Sequence, residues 1–335
     1  MGKQIDKSSL IIFSAVTIDR YLSATAAEIE QVRSSSEGIE PVHRMRVASR
    51  RLRNALDVVG PSLAAKKFSD WKAGIRKITR LLSAARDQDV QIEYLTQFGS
   101  DHPPVEAAGI RRLLLRLHQQ RVLSQLKVIK GLDTLAKSGV LLDIKKRTEP
   151  LLAFQEYIDL RNPNLCQLAE TATLARLEDC LVYDEAIRDP ENITELHTLR
   201  IHAKHLRYTM EIFTPLYPDQ MPETIKIVRQ MQDWLGSIHD FDIWTTKLEV
   251  FMAKERQRTV EYFGYARPYQ RLVPGLRLFS DHCQAERNRL YAEFIPAWES
   301  WKTEGVWEAL RTTIKSFHEP AAGVEYTTLD QEDMH

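Results

Sequence analysis

Two blocks of sequence each occur twice in this chain, in the same order and at nearly the same spacing. The first, VHRMRVASRRLRNALDVV from Val42, returns as LHTLRIHAKHLRYTMEIF from Leu196. Setting His43 on His197 places Arg46 on Arg200, Arg50 on Lys204, Arg53 on Arg207 and Asp57 on Glu211 without a gap. The second, IRKITRLLSAARDQDV from Ile75, returns as VRQMQDWLGSIHDFDI from Val228, with Arg76 on Arg229, Leu82 on Leu235, Asp87 on Asp240 and Asp89 on Asp242. From the histidine to the first aspartate is 44 residues in one copy and 43 in the other. Such a pattern requires a tandem of two related modules.

Each module is helical by pattern. Across 335 residues there are only 13 Gly and 14 Pro, and long stretches carry neither, which argues against the frequent turns of a β-sandwich. Apolar periodicity predicts helices over 8–33, 41–59, 62–84, 88–98, 105–137 and 141–158. Breaks are expected from Ser34 to Gly38, at Gly60-Pro61 and at His102-Pro103-Pro104. Arg161-Asn162-Pro163-Asn164 is the clearest internal boundary. Beyond it the helical order repeats over 165–186, 193–214, 222–237, 240–260, 269–303 and 305–317. No strand alternation stands out. The expected organisation is an all-α chain with modules at 1–162 and 163–318. An acidic tail at 319–335 follows, for which the composition predicts mobility.

Several function classes are disfavoured. Basic and acidic residues balance at 46 each, so any electrostatic function must come from segregation of charge rather than from a global excess. Cys166, Cys180 and Cys283 are scattered, with no CxxC pair, which indicates neither a disulfide framework nor a structural zinc site. The apolar run from Leu10 to Val16 is too short to span a bilayer, and Asp19 and Arg20 follow it too soon for a secretory leader. A soluble, cytoplasmic protein with no membrane association is expected.

The repeated helices segregate their charge. At about 100° per residue, His43, Arg46, Arg50 and Arg53 share an arc of about 80°, opposite Met45, Leu52, Leu56 and Val59. Around His197 the apolar set is Leu199, Ala203, Leu206, Met210 and Phe213, and the basic set is Arg200, Lys204 and Arg207. No acid occurs between Val42 and Leu56, although like charges three and four residues apart repel by about 0.2–0.5 kcal/mol per pair. For a single helix this could be a solvated basic face, or arginines paired with carboxylates of neighbouring helices. Two helices in the same registry argue instead for an anion that offsets the repulsion. Arginine's planar fork suits phosphate, and Arg51 and Tyr208 stand beside the two stripes.

Further candidates extend this surface. Arg76 and Arg80 lie four apart, with Arg229 and Asp233 as their counterparts. Arg86 and His239 precede the Asp-x-Asp pairs. Arg112 and Arg116 have no repeat partner. The Asp pairs themselves read better as helix caps or as partners of arginines than as metal ligands. Asp57 and Glu211 are expected to orient Arg53 and Arg207. His197, His202 and His205 diverge on the helical wheel, so no metal site and no cofactor is expected. A histidine set among arginines should have a lowered pKa and gain a proton when a polyanion arrives.

These blocks resemble the CHAD family of histidine-containing α-helical domains. The resemblance is carried by His43, Arg46, Arg50, Arg51 and Arg53, then by Arg86-Asp87-x-Asp89-Val90. In the second copy it is carried by His197, Arg200, Lys204, Arg207, Tyr208 and Glu211, then by Met231-Gln232-Asp233-Trp234-Leu235-Gly236. It covers roughly residues 8–317. It implies two four-helix bundles related by pseudo-twofold symmetry, with a basic central surface that binds inorganic polyphosphate. It also implies association with polyphosphate granules and no catalysis; related chains often carry a triphosphate-hydrolysing barrel, for which this sequence has no strand pattern, so a stand-alone form is expected. This chain departs from the family pattern at Ser83, which stands where Gly236 does in the second copy. It departs again at His239 and His205, which stand opposite Arg86 and Arg51. The alternatives are a nucleic-acid binder, disfavoured by the shortage of stacking aromatics, and a Mg-dependent phosphohydrolase using the Asp pairs, disfavoured by the lack of a P-loop or hydrolase motif. The acidic tail could cover the basic surface, in which case its removal should tighten binding.

Overall fold

The computed structural model describes residues 8–34, 39–64, 67–100 and 107–316, and the regular elements among them are all helices. In the first half α1 (Ser8–Ala27) and the short α2 (Ile29–Ser34) lead into α3 (Ile39–Val58) and α4 (Gly60–Ala64). Helices α5 (Phe68–Ser100), α6 (Ala107–Ser138) and α7 (Val140–Leu152) follow. The second half holds α8 (Pro163–Leu181), α9 (Ile193–Phe213), α10 (Met221–Phe263), α11 (Val273–Thr303) and α12 (Val306–Ser316). The packing repeats with the order. Helix α1 lies on α3 as α8 lies on α9, α3 on α5 as α9 on α10, and α5 on α6 as α10 on α11. The halves meet where α3 touches α9, α6 touches α11 and α1 touches α8.

The internal boundary has a local cause. The Asn162 side-chain oxygen accepts the amides of Asn164 and Leu165 at 3.1 and 3.3 Å, and Pro163 occupies the first turn, where its missing N–H costs nothing. It separates the repeats without separating their hydrophobic interiors. Met45, Leu52 and Leu56 of α3 and Leu199, Leu206 and Met210 of α9 are all fully buried in one continuous core. A smaller core, including Leu95, Phe98, Leu113, Trp244, Leu248 and Phe279, ties together the outer parts of α5, α6, α10 and α11. Residues 8–34 are apolar and long enough to cross a membrane by composition, but Phe13, Ile18 and Leu22 from this stretch are buried in the main core.

Two expected breaks are absent. The sequence predicts separate helices over 62–84 and 88–98, and again over 222–237 and 240–260. Instead α5 runs unbroken for 33 residues and α10 for 43. Buried positions continue at helical spacing straight through each Asp pair, as in Leu235, Ile238, Phe241, Trp244 and Leu248. The aspartates therefore sit inside helices and cap nothing. The second aspartate of each pair has the other expected role, as an arginine's partner: Asp89 lies 2.5 Å from Arg121 of α6, and Asp242 lies 3.1 Å from Arg287 of α11. The same ion pair thus braces the same two helices in each half. The acidic tail at 319–335 and most of the breaks expected at 34–38 and 102–104 lie outside the described residues.

Candidate functional site

Helices α3 and α9 turn their apolar sides to the core, which leaves their basic faces to converge where the two helices meet. Two cavities of about 620 and about 190 Å3 open there among α3, α5, α9 and α10. The larger takes His43, Arg86, Arg200, His239 and Lys247, and the smaller takes Arg53, Asp57, His205 and Tyr208. Arg46, Arg50 and Lys204 line both, so the two form one groove to which both repeats contribute. Seven arginine and lysine side chains line it, against the carboxylates of Asp57, Asp87 and Asp240.

The cations are held under electrostatic stress. Burial pushes Lys204 down to about 6, and repulsion from Arg200, Arg50 and Arg46 adds to it while Asp240 opposes. Burial likewise pushes Arg50 down to about 10, with Tyr208 opposing and Arg46, Arg207 and Arg200 reinforcing. The same cause lowers Arg53 and Arg200. The histidines follow. His43 and His197 are lowered by burial and by Arg86 and Arg200 respectively. His205 falls to about 4 and His239 to about 3, again chiefly by burial.

Hydrogen bonding is unmet in the same place. The Nε atoms of Arg50 and Arg200 and the Nδ1 atoms of His43 and His205 are buried without a partner. Each such orphan costs about 1–3 kcal/mol. The guanidinium carbons of Arg50 and Arg207 lie 5.0 and 4.9 Å from the Tyr208 ring centre, and Arg207 Nη2 donates to the Tyr208 hydroxyl at 3.2 Å. Tyr208 therefore seats two arginines of opposite repeats.

The remaining predicted residues divide. Arg51 and Arg207 share the Glu211 carboxylate, at 3.1 and 3.6 Å, outside the groove lining. The first of these contacts crosses between repeats. At the pseudo-equivalent place His205 feels the charge of Asp57, which itself pairs with Lys72. Arg46 is 3.7 Å from Asp87. Arg76, Arg80 and Arg229 are exposed and line neither cavity, although Arg76 is near enough to Arg53 to lower its pKa. Arg112 and Arg116, expected on the same basic surface, lie away from it. They do not face the groove but hold Glu255, at 3.1 and 2.7 Å, because a fully buried carboxylate requires paired cations. The three histidines of α9 go to three different neighbours: His197 bonds His239 at 3.0 Å between Nδ1 atoms, His202 lies 3.5 Å from Asp179, and His205 lines the smaller cavity.

Lys247 and Tyr94 escaped the sequence reading. They stand at equivalent repeat positions, each seven residues past its Asp-x-Asp start, and both line the larger cavity. Lys247 donates to Gln91 at 3.3 Å, and its pKa is lowered by burial despite Asp87 and Asp240. Extending the repeat alignment along α10 was the signal available.

A family model for the CHAD domain matches residues 17–249, a span that holds both histidine–arginine helices and both Asp pairs. The chain belongs to the CHAD domain family. The crystal structure of the CHAD domain from the plant Ricinus communis has the same fold, with a TM-score of 0.57 and 19% identity over 87% of this chain and 94% of that one. The likeness in fold thus extends past residue 249, into the closing helices of the second repeat. No curated relative matches. Within the CHAD frame, the groove lies where the two histidine–arginine helices touch.

Proposed function

We propose that this CHAD protein binds inorganic polyphosphate in the groove among α3, α5, α9 and α10, and that it does so without catalysis. The observation that carries the reading is the pair Arg50 and Lys204. One comes from each repeat, each is half-buried, neither forms an ion pair among the described residues, and burial lowers the proton affinity of both, with Arg50 adding to the effect on Lys204. A buried cluster of like charge is stable in function only with a counter-charge. A linear phosphate chain supplies one at every repeat unit and offers each guanidinium a pair of oxygens.

Nucleic acid fits less well. Tyr208, Phe241 and Trp244 are buried, and Tyr94 bonds His282 at 2.6 Å, so the groove offers little free ring surface for a base. The reading includes a cytoplasmic location on polyphosphate granules, which imaging of the tagged protein against stained granules checks.

The deciding experiment is a salt titration of binding to long-chain polyphosphate beside duplex DNA of equal charge. With about 6–8 phosphates engaged, log K falls against log salt with a slope of about −4 to −6. Arg50→Glu/Arg53→Glu and Lys204→Glu/Arg207→Glu should each abolish it, and a phosphate-release assay with Mg2+ should stay blank. Equal affinity for DNA, or unchanged binding by both variants, sinks the proposal.

A further inference from the structure

The central groove does not end at the Asp pair of α10. Trp244 and Lys247, on its wall, also line a third cavity of about 290 Å3 along the outer half of α10, reaching α6. Arg116 and Arg258 line that cavity and a fourth, of about 560 Å3, which ends at Tyr262 and Phe263. Lys247, Lys254 and Arg258 are spaced by seven and then four residues, one face of the helix over about 16 Å.

Cations dominate this track. Lys247, Lys254, Arg112, Arg116 and Arg258 stand against Glu255 and Glu261. Glu255 is fully buried and bonds Arg258, Arg116 and Arg112 at 2.5, 2.7 and 3.1 Å, while the three guanidinium side chains remain 50%, 27% and 41% exposed. One carboxylate thus fixes three forks from beneath. Each guanidinium has five N–H donors; Arg112 and Arg258 each spend one nitrogen on Glu255, while Arg116 also donates from Nη1 to Gln119 at 3.0 Å. A staple between α6 and α10 explains Glu255 and the inner edges. It does not explain Lys254, which makes no ion pair among the described residues and lies on the same line.

We propose that this track is a second segment of the anion site, taken only by linear polyanions long enough to leave the central groove. Its ligand is the continuing phosphate chain, so the inference rests on the polyphosphate reading above. It assigns discrimination by chain length to the outer half of α10.

The test measures binding of tripolyphosphate and of long-chain polyphosphate to the full chain. In Lys254→Gln/Arg258→Gln the affinity for tripolyphosphate stays at the wild-type value. For the long chain it drops about tenfold, and the salt slope shrinks by about 0.7 per cation removed. Val250→Glu places an acid on the same track at an exposed position outside the Glu255 ion pairs, so it weakens long-chain binding without disturbing that cluster. Wild-type long-chain affinity and slope in both variants overturn the proposal, as does an equal loss for both ligands. Failure of the wild-type protein to bind either ligand overturns the central-groove reading itself.

Discussion

Arg46 donates from Nε to the Ser83 hydroxyl at 3.2 Å, whereas its counterpart Arg200 faces Gly236 and leaves its Nε buried without a partner. A Cβ on Gly236 would sit 4.0 Å from that nitrogen, an ordinary contact, so a serine fits. Gly236→Ser supplies the missing acceptor and removes a glycine from a helix interior. A net hydrogen bond contributes about 0.5–1.5 kcal/mol and the propensity change a few tenths more. The variant is expected to be about 1 kcal/mol more stable in denaturant titration.

Lys204 couples stability to pH. A lysine in the unfolded chain titrates near 10.4, and here it falls to about 6. Between these values the unfolded state holds the proton and the folded state does not. Stability of the ligand-free protein therefore rises with pH from about 6 toward 10. Lys204→Met removes the buried charge, so its melting temperature exceeds wild type near pH 6, the gap narrows as pH rises, and polyphosphate binding is lost. A melting temperature below wild type at pH 6 contradicts the assignment.

Binding carries the same proton in the opposite sense. An anion restores the proton affinity of Lys204, and of His43 and His197 where they were lowered by burial and neighbouring arginines. Affinity therefore falls as pH rises through the window between the free and bound pKa values. Calorimetry in buffers of different ionisation heat should show proton uptake near pH 7, with tighter binding at pH 6 than at pH 8. Lys204→Arg, charged throughout, should keep the affinity and lose most of the dependence.

Tyr208 can be tested as a seat rather than as a ligand. Tyr208→Phe keeps the ring beneath Arg50 and Arg207 and gives up only the 3.2 Å bond from Arg207. Tyr208→Leu removes the ring. Cation–π contacts contribute about 0.5–2 kcal/mol each. Affinity should hold within about threefold for the phenylalanine variant and fall by about tenfold or more for leucine. Equal behaviour of the two would leave the ring without a role.

Glu255 braces α10 against α6. Burial raises its carboxyl, but bonds from Arg116, Arg258 and Arg112 outweigh that and hold it below the usual range. Its contribution is present above the unfolded value near 4.3 and is lost as pH falls through the lower folded value. Glu255→Gln is expected to cost about 2 kcal/mol at neutral pH, discounted for the exposure of the arginines, and to flatten the acid limb of the stability curve.

The sequence disclosed most where one helix carried two periodic signals. On α3 and α9 the same 3.6-residue spacing separated Met45, Leu52 and Leu56 from His43, Arg46 and Arg50, and the former are fully buried while the latter line the groove. It disclosed least where the deciding partner is remote. Asp89 reads from the sequence as a cap or as an arginine's partner, and only Arg121, on another helix, decides between the two. Arg116 reads as part of the central basic surface until Glu255, 139 residues away, is found to hold it on the outer half of α10. Lys247 lies beyond the break expected before Asp240, and only the unbroken α10 carries one face from the aspartates to it.

Arg50 and Lys204 each line both cavities, so the two repeats share one groove with unequal ends. The larger cavity carries Arg86, Arg200, His239 and Lys247, and the smaller carries Arg53 and His205. A linear phosphate chain, by contrast, reads the same from either end. Every register it adopts has a reversed twin of the same composition, and each added phosphate contributes another register. For the polyphosphate ligand proposed above, retention would then grow with polymer length by counting alone, before any new contact forms, and a bound chain would be free to creep through the groove one unit at a time.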